Sequence, residues 1–144
     1  MGGEQNYLAQ VAADAVAPEL TKKEKYSDAY FLRPSVVYFI AAGDNPIKAA
    51  KIGITARNTI SARIKSIQSA NHERIKLLKV LEYLEGAKPG LAAENRDQEL
   101  HKTFANLQRA KPFTVGHEWF SYEGLLVEFV ESITSLPKDL QALT

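Results

Sequence analysis

The spacing of apolar residues changes along the chain, and each change predicts a different element. Over residues 7–16 the apolar positions recur at helical spacing, and Pro18 ends that pattern. Residues 36–41 are apolar without interruption, which predicts a central strand covered on both faces. After a loop rich in turn-forming residues, a second strand is predicted over residues 48–55. The first half of the chain therefore predicts one helix followed by two neighbouring strands.

In the second half of the chain, the spacing of apolar residues predicts a helix, a third strand and two further helices. Residues 60–67 carry isoleucines on one helical stripe, so a helix is expected there. Branched and aliphatic residues predict a third strand over residues 75–84, and a long helix is expected over residues 91–107. A final helix is marked by apolar residues between positions 125 and 133.

This order of elements predicts an α+β fold with a small three-stranded antiparallel sheet flanked by helices and an added N-terminal helix. We expect a helical extension over residues 1–34 and a core domain over residues 35–122. We expect residues 123–144 to form a C-terminal helix that packs on this domain.

Composition narrows the class of protein. The 144 residues are enough for one domain with a buried core. No apolar run is long enough to cross a bilayer, so no membrane partner is expected. The absence of cysteine excludes disulfides, thiolate zinc sites and cysteine nucleophiles. A soluble, cytoplasmic protein is the expectation.

The formal charge of +1 hides an uneven distribution along the chain. Residues 1–34 balance to −1, residues 35–120 to +5 and residues 121–144 to −3. Between positions 48 and 79 there are eight basic residues and a single acid, Glu73. Such clustering is typical of a surface that binds a polyanion such as DNA, and a solvated basic face is the equally weighted alternative.

Short motifs follow one another through the central part of the chain. They are Val37-Tyr38, Lys51-Ile52-Gly53-Ile54-Thr55, Arg63, Ser69-Ala70-Asn71, Leu100-His101 and Glu118-Trp119-Phe120. In order and spacing they resemble the GIY-YIG nuclease superfamily. They look most similar to its phage-type DNA-binding branch, which is related to the meiotically up-regulated gene family. The resemblance covers residues 35–122 and implies a three-stranded antiparallel sheet and a Mg²⁺-dependent DNA endonuclease.

The resemblance also assigns roles to residues of the first half. It implies that Tyr38 helps to activate the attacking water and that Arg63 stabilises the charged phosphate. Lys51 occupies the place of the family's second tyrosine, where this branch uses lysine, and it implies either a phosphate contact or altered chemistry. For Tyr38 the alternative is a tyrosine of the apolar core. Gly53 is expected to allow a close turn of the backbone.

Candidate metal ligands lie in the second half. Glu94, Asp97 and His101 share one stripe of the predicted helix. The resemblance puts Asp97 at the position of the metal-binding glutamate, with Glu94 one turn earlier as a substitute, and a polar surface stripe as the alternative. His101 is expected to accept a proton or to bind the metal. Glu118, held by the aromatic residues that follow it, is the third candidate ligand.

Lys48, Arg57, Lys65 and Asn71 are the expected contacts to nucleic acid. Two other functions stay open. One is a non-catalytic nucleic-acid-binding module of the same fold, which the departures at Lys51 and Asp97 favour. The other is a protein-interaction or regulatory domain that acts through its terminal helices. The oligomeric state and the role of residues 1–34 are also open.

Overall fold

The computed structural model describes residues 28–109 and 119–144. A four-stranded antiparallel sheet with the spatial order β3-β1-β2-β4 forms its centre. The strands are β1 (Ser35–Ala42), β2 (Ala49–Ala56), β3 (Ile75–Tyr83) and β4 (Trp119–Ser121). The predicted α+β class is confirmed, whereas the sheet has four strands where three were expected. At three residues, β4 is too short to show a periodic pattern in the sequence.

Helices connect the strands and cover the sheet. They are α1 (Asp28–Phe31), α2 (Ile60–Ser69), α3 (Pro89–Thr103) and α4 (Gly124–Ser132), with short 3-10 segments at Arg57–Thr59, Ala105–Leu107 and Lys138–Leu143. The long helix expected over residues 91–107 is therefore an α-helix followed by a 3-10 turn. The N-terminal helix expected over residues 7–16 lies outside the described residues. No helix within the two described ranges combines the length and the apolar character that crossing a bilayer requires.

The middle position of β1 explains its uninterrupted apolar sequence. β1 pairs with β2 on one side and with β3 on the other, so both of its edges are hydrogen-bonded. All eight of its residues are buried. Because successive side chains of a strand point to opposite faces, β1 contributes to two separate cores.

The first core lies on what we call the α2 face of the sheet. Val36, Tyr38 and Ile40 point to this face, where Ile60 and Ile64 of α2 cover them. The isoleucine stripe of α2 is therefore its buried side, as the spacing predicted. The other buried members of this core are Ala42, Ala49, Ile75, Leu77, Val80, Trp119, Leu136 and Leu140.

The second core lies on what we call the α3 face. Val37 and Phe39 point to this face and pack with Ala93 and Leu100 of α3. α4 covers the rest of the face, and the other buried members are Ala50, Ile52, Phe104, Phe120, Leu126 and Val130. A side chain on one face therefore reaches the other only through the backbone of the sheet.

Candidate functional site

Tyr38 lies at the centre of β1, and only 1% of its surface is exposed. Its partner across the β1–β2 pair is Gly53. A methyl group built on Gly53 would lie 2.5 Å from the Cζ atom of Tyr38, so the phenol ring rests directly on the glycine backbone. Gly53 is therefore needed for a close approach of a side chain rather than for a turn. This contact fixes the Tyr38 hydroxyl next to β2.

Lys51 points to the α2 face as well. It pairs with Ile40 of β1, two positions before Gly53, so it is a diagonal neighbour of Tyr38 on the same face. Only 8% of Lys51 is exposed. Burial of an ammonium group is unusual without polar or charged partners, which makes this position a candidate for chemistry.

Arg63 reaches the α2 face from the helix. It lies between Ile60 and Ile64, the two buried residues of α2, and its Nε atom is buried while the residue as a whole is half-buried. The start of the helix is fixed by Thr59. Its hydroxyl lies 2.6 Å from that of Thr55 at the end of β2 and donates to the carbonyl oxygen of Ala56. These hydrogen bonds connect the end of β2 to the start of α2, and so help to set the position of Arg63 relative to the sheet.

Part of the basic cluster between positions 48 and 79 is paired with acidic residues in the fold. Counting only pairs between residues that the structure describes, four of its eight members form ion pairs with acidic residues: Lys48 with Glu73, Arg57 with Glu82 and Asp139, and Arg74 and Lys76 with Asp44. A fifth, Lys79, donates a hydrogen bond to the carbonyl oxygen of Ile133 at the end of α4. The other three are Lys51, Arg63 and Lys65, which all belong to β2 or α2. These three cations lie on elements that adjoin each other in the fold.

The residues predicted to contact nucleic acid differ in their surroundings. Arg57 donates from Nε to Glu82 at 2.6 Å and from Nη2 to Asp139 at 2.9 Å. These hydrogen bonds raise the pKa of Arg57 and lower the pKa of Asp139. Asn71 donates to the carbonyl oxygen of Ile67 and so caps the end of α2. Lys65 is exposed on α2. Their nucleic-acid contacts stay predictions.

The acidic stripe of α3 lies on the opposite side of the sheet from Tyr38. Glu94 and Asp97 are 6% and 5% exposed, so they are buried rather than on the surface. Tyr30 of α1 donates to Oε1 of Glu94 at 3.4 Å. Burial and the neighbouring carboxylate of Glu94 raise the pKa of Tyr30 to about 12. The predicted grouping on one helix stripe is correct, but the structure does not bring these carboxylates to Tyr38.

His101 also belongs to the α3 face. Its Nε2 atom lies 2.9 Å from the carbonyl oxygen of Ile52 and 3.4 Å from Oδ1 of Asp97. Its ring packs edge-on against Phe120 with a centroid distance of 5.0 Å. The histidine therefore contacts the backbone of β2 at the peptide that precedes Gly53.

The predicted metal site is only partly described by the structure. Glu118 lies outside the described residues. Within residues 28–109 and 119–144, no group of three or more His, Asp or Glu side chains is arranged to hold a metal ion. The magnesium role of Asp97, Glu94 and Glu118 stays a prediction.

Two contributors to this region were not predicted. Tyr30 was not recognised as a partner of Glu94, because the two are 64 positions apart in the chain. Gly90 allows α1 to approach α3, since a methyl group there would lie 2.7 Å from the carbonyl oxygen of Tyr30. The pair Pro89-Gly90 at the start of α3 was a readable signal of a helix start, but not of this approach.

Comparisons of the chain with protein-family models, with curated proteins and with solved structures find no match. The likeness to the GIY-YIG superfamily is therefore a resemblance carried by the motifs alone.

Proposed function

We propose that this protein binds nucleic acid on the α2 face and hydrolyses its phosphodiester bonds with the help of a divalent ion. The observation that carries the proposal is the common side of the sheet shared by Tyr38, Lys51 and Arg63. These residues come from β1, β2 and α2. A hydroxyl, an ammonium and a guanidinium supply one group that can orient a water and two cations that can bind a phosphate.

Phosphate binding is the better supported half of the proposal. The guanidinium of Arg63 offers paired donors that match phosphate oxygens, and Lys51 offers a compact charge. Because Lys51 is enclosed, its attraction for a phosphate is screened less than that of a surface lysine. Lys65 adds an exposed charge on the same helix as Arg63, which would attract the polyanion from a distance.

Hydrolysis requires an ordered water and a way to stabilise the developing charge. Tyr38 would orient the water through its hydroxyl. The enclosed ring and its contact with Gly53 hold that hydroxyl in one position, which suits a positioning group. Arg63 would stabilise the additional negative charge of the transition state.

Glu118 is the residue to which we assign the metal. In the chain it immediately precedes Trp119, the β4 residue that pairs with Lys51. Mg²⁺ is commonly held by one or two carboxylates together with substrate phosphates, so one carboxylate fits it. When bound, the ion would polarise the phosphoryl oxygens and support the leaving group. Glu94 and Asp97 are less suited, because they are buried on the α3 face.

A non-catalytic nucleic-acid-binding module is the second candidate. The observation in its favour is the separation of the two carboxylates of α3 from Tyr38 by the sheet. If Glu118 does not hold a metal, the α2 face retains its cations and can still bind a phosphate backbone.

The test is a cleavage assay on plasmid and branched DNA with Mg²⁺ or Mn²⁺. We expect cleavage by the wild-type protein and by Lys102→Ala, which removes an exposed charge from α3. Arg63→Ala and Glu118→Gln should each lower the rate by roughly 100-fold or more. Cleavage by the wild type that does not exceed that of Arg63→Ala would exclude the nuclease.

Two further measurements separate the candidates. Asp97→Asn should cleave like the wild type, provided it folds, because we assign no metal to α3. Loss of cleavage by Asp97→Asn with retained folding would move the metal to α3 and overturn the assignment of Glu118. Salt-dependent binding of DNA without cleavage under any condition would support the second candidate.

A further inference from the structure

His101 makes a hydrogen bond to the backbone of the strand that carries Lys51 and Gly53. Its Nε2 atom lies 2.9 Å from the carbonyl oxygen of Ile52. A carbonyl oxygen only accepts, so Nε2 carries the hydrogen and donates it. The ring also packs edge-on against Phe120, which restricts its orientation.

The peptide group that His101 binds belongs in part to Gly53, which is in direct contact with Tyr38. The carbonyl of Ile52 and the N–H of Gly53 belong to one planar unit, so they move together. Gly53 is the residue on which the ring of Tyr38 rests, and even a methyl group would not fit between them. A shift of this peptide by a few tenths of an ångström must therefore move the phenol or open a gap beneath it.

We propose that His101 is a positioning residue that fixes the Ile52–Gly53 peptide and, through it, the hydroxyl of Tyr38 on the opposite face of the sheet. This inference rests on the proposed function for its catalytic consequence, since Tyr38 orients the water there. Its structural part, the coupling of α3 to Tyr38, is independent of whether any nucleic acid is cleaved.

The role differs from proton transfer and from metal binding in a way that can be measured. Both the cation and the neutral tautomer with hydrogen on Nε2 donate to Ile52, so the hydrogen bond does not depend on the charge of His101. A side chain that supplies an N–H at the same place should replace it. A residue that accepts a proton could not be replaced by an amide, and one that binds a metal could be replaced only through the amide oxygen and not through the N–H.

The experiment compares His101→Gln, which keeps an N–H donor, with His101→Leu, which has none. Lys102→Leu is the matched control, because it changes the next residue of α3 at an exposed position. The first readout is the NMR amide signal of Gly53 together with the ring signals of Tyr38, without nucleic acid. We expect both to shift in His101→Leu, to return towards the wild type in His101→Gln, and to stay unchanged in Lys102→Leu. Unmoved signals in folded His101→Leu would overturn the coupling.

The second readout is the rate of DNA cleavage. In His101→Leu, kcat should fall by roughly 10- to 100-fold with little change in KM, since the cations that bind phosphate are untouched. His101→Gln should keep most of the activity and the pH profile of the wild type. A His101→Gln variant as inactive as His101→Leu, with a wild-type Gly53 amide signal, would show a direct chemical role and overturn the proposal.

Two outcomes separate this inference from the proposed function. If the wild type cleaves nothing, the nuclease proposal fails, and the NMR shifts alone decide whether His101 positions Tyr38. If His101→Leu does not fold, His101→Gln decides. Near-native Gly53 and Tyr38 signals with a wild-type pH profile support positioning, and shifted signals with native-like activity contradict it.

Discussion

Gly53 shows how a single missing side chain can set the geometry of a neighbour. In a strand, glycine is less stable than alanine by roughly 0.5–1 kcal/mol, so its presence in a buried strand needs a reason. The reason here is the ring of Tyr38, which occupies the space of a Cβ atom. From the sequence, Gly53 was expected to serve a close turn of the backbone. The cross-strand register, which places Tyr38 opposite Gly53, was needed to see the actual contact.

A double-mutant cycle tests this contact. Gly53→Ala should destabilise the wild-type protein by roughly 1–3 kcal/mol, because the new methyl group forces the ring or the strand to move. In the Tyr38→Val background the space above Gly53 is empty, so the same substitution should be neutral or slightly stabilising. Urea unfolding of the four proteins measures the difference. An equal effect of Gly53→Ala in both backgrounds would contradict the contact.

At the scale of elements, the sequence predicted which residues share one side of a helix, but it did not predict which face of the sheet each helix covers. The isoleucine stripe of α2 and the shared stripe of Glu94, Asp97 and His101 on α3 were both readable from spacing. The side of the sheet on which α3 packs was not readable, because β1 is apolar towards both faces. The assignment of Asp97, or of Glu94 in its place, to the same site as Tyr38 depended on that missing information.

The ion pairs of Arg57 were likewise not predictable from the sequence. Arg57 follows β2, and it binds Glu82 of β3 and Asp139 of the C-terminal 3-10 segment, which is 82 positions away in the chain. No local sequence pattern predicts a contact between residues so far apart in the chain. Arg57 therefore looked like an available cation in the sequence, whereas in the structure it connects three elements.

This connection predicts a pH dependence. Arg57 lowers the pKa of Asp139 in the folded state below that in the unfolded state. Between these two values only the unfolded chain binds the proton, so stability rises with pH there. The stabilisation by Asp139 should be present above the ordinary carboxylate pKa and be lost as the pH falls through the lowered one.

The pH dependence is measured by urea unfolding of Asp139→Asn and of the wild type at several acidic pH values. The two stabilities should differ at neutral pH and converge on acidification, while Glu128→Gln, at an exposed position of α4, should follow the wild type throughout. Arg57→Met removes both ion pairs and should lower the free energy of unfolding at neutral pH. A pH-independent difference between Asp139→Asn and the wild type would exclude the pairing.

At the scale of the whole molecule, the two helices α2 and α4 lie on opposite faces of the sheet and differ in charge. Lys51, Arg63 and Lys65 belong to the α2 side, whereas α4, on the α3 face, carries the exposed acids Glu128 and Glu131 and no basic residue. A polyanion should approach the α2 side and be repelled from α4.

Two lysines of equal charge and similar exposure test this orientation. Lys65 is exposed on α2 and Lys102 is exposed on α3, so Lys65→Ala and Lys102→Ala change the net charge equally on opposite sides. For a labelled DNA duplex, the slope of log K against log salt should become shallower by about 1 in Lys65→Ala, because one phosphate contact is lost. Fluorescence anisotropy between roughly 50 and 200 mM salt resolves such a change. Lys102→Ala should keep the wild-type slope. Equal slopes for the two variants would mean that net charge alone governs binding, and a larger effect of Lys102→Ala would place the nucleic acid on the α3 face.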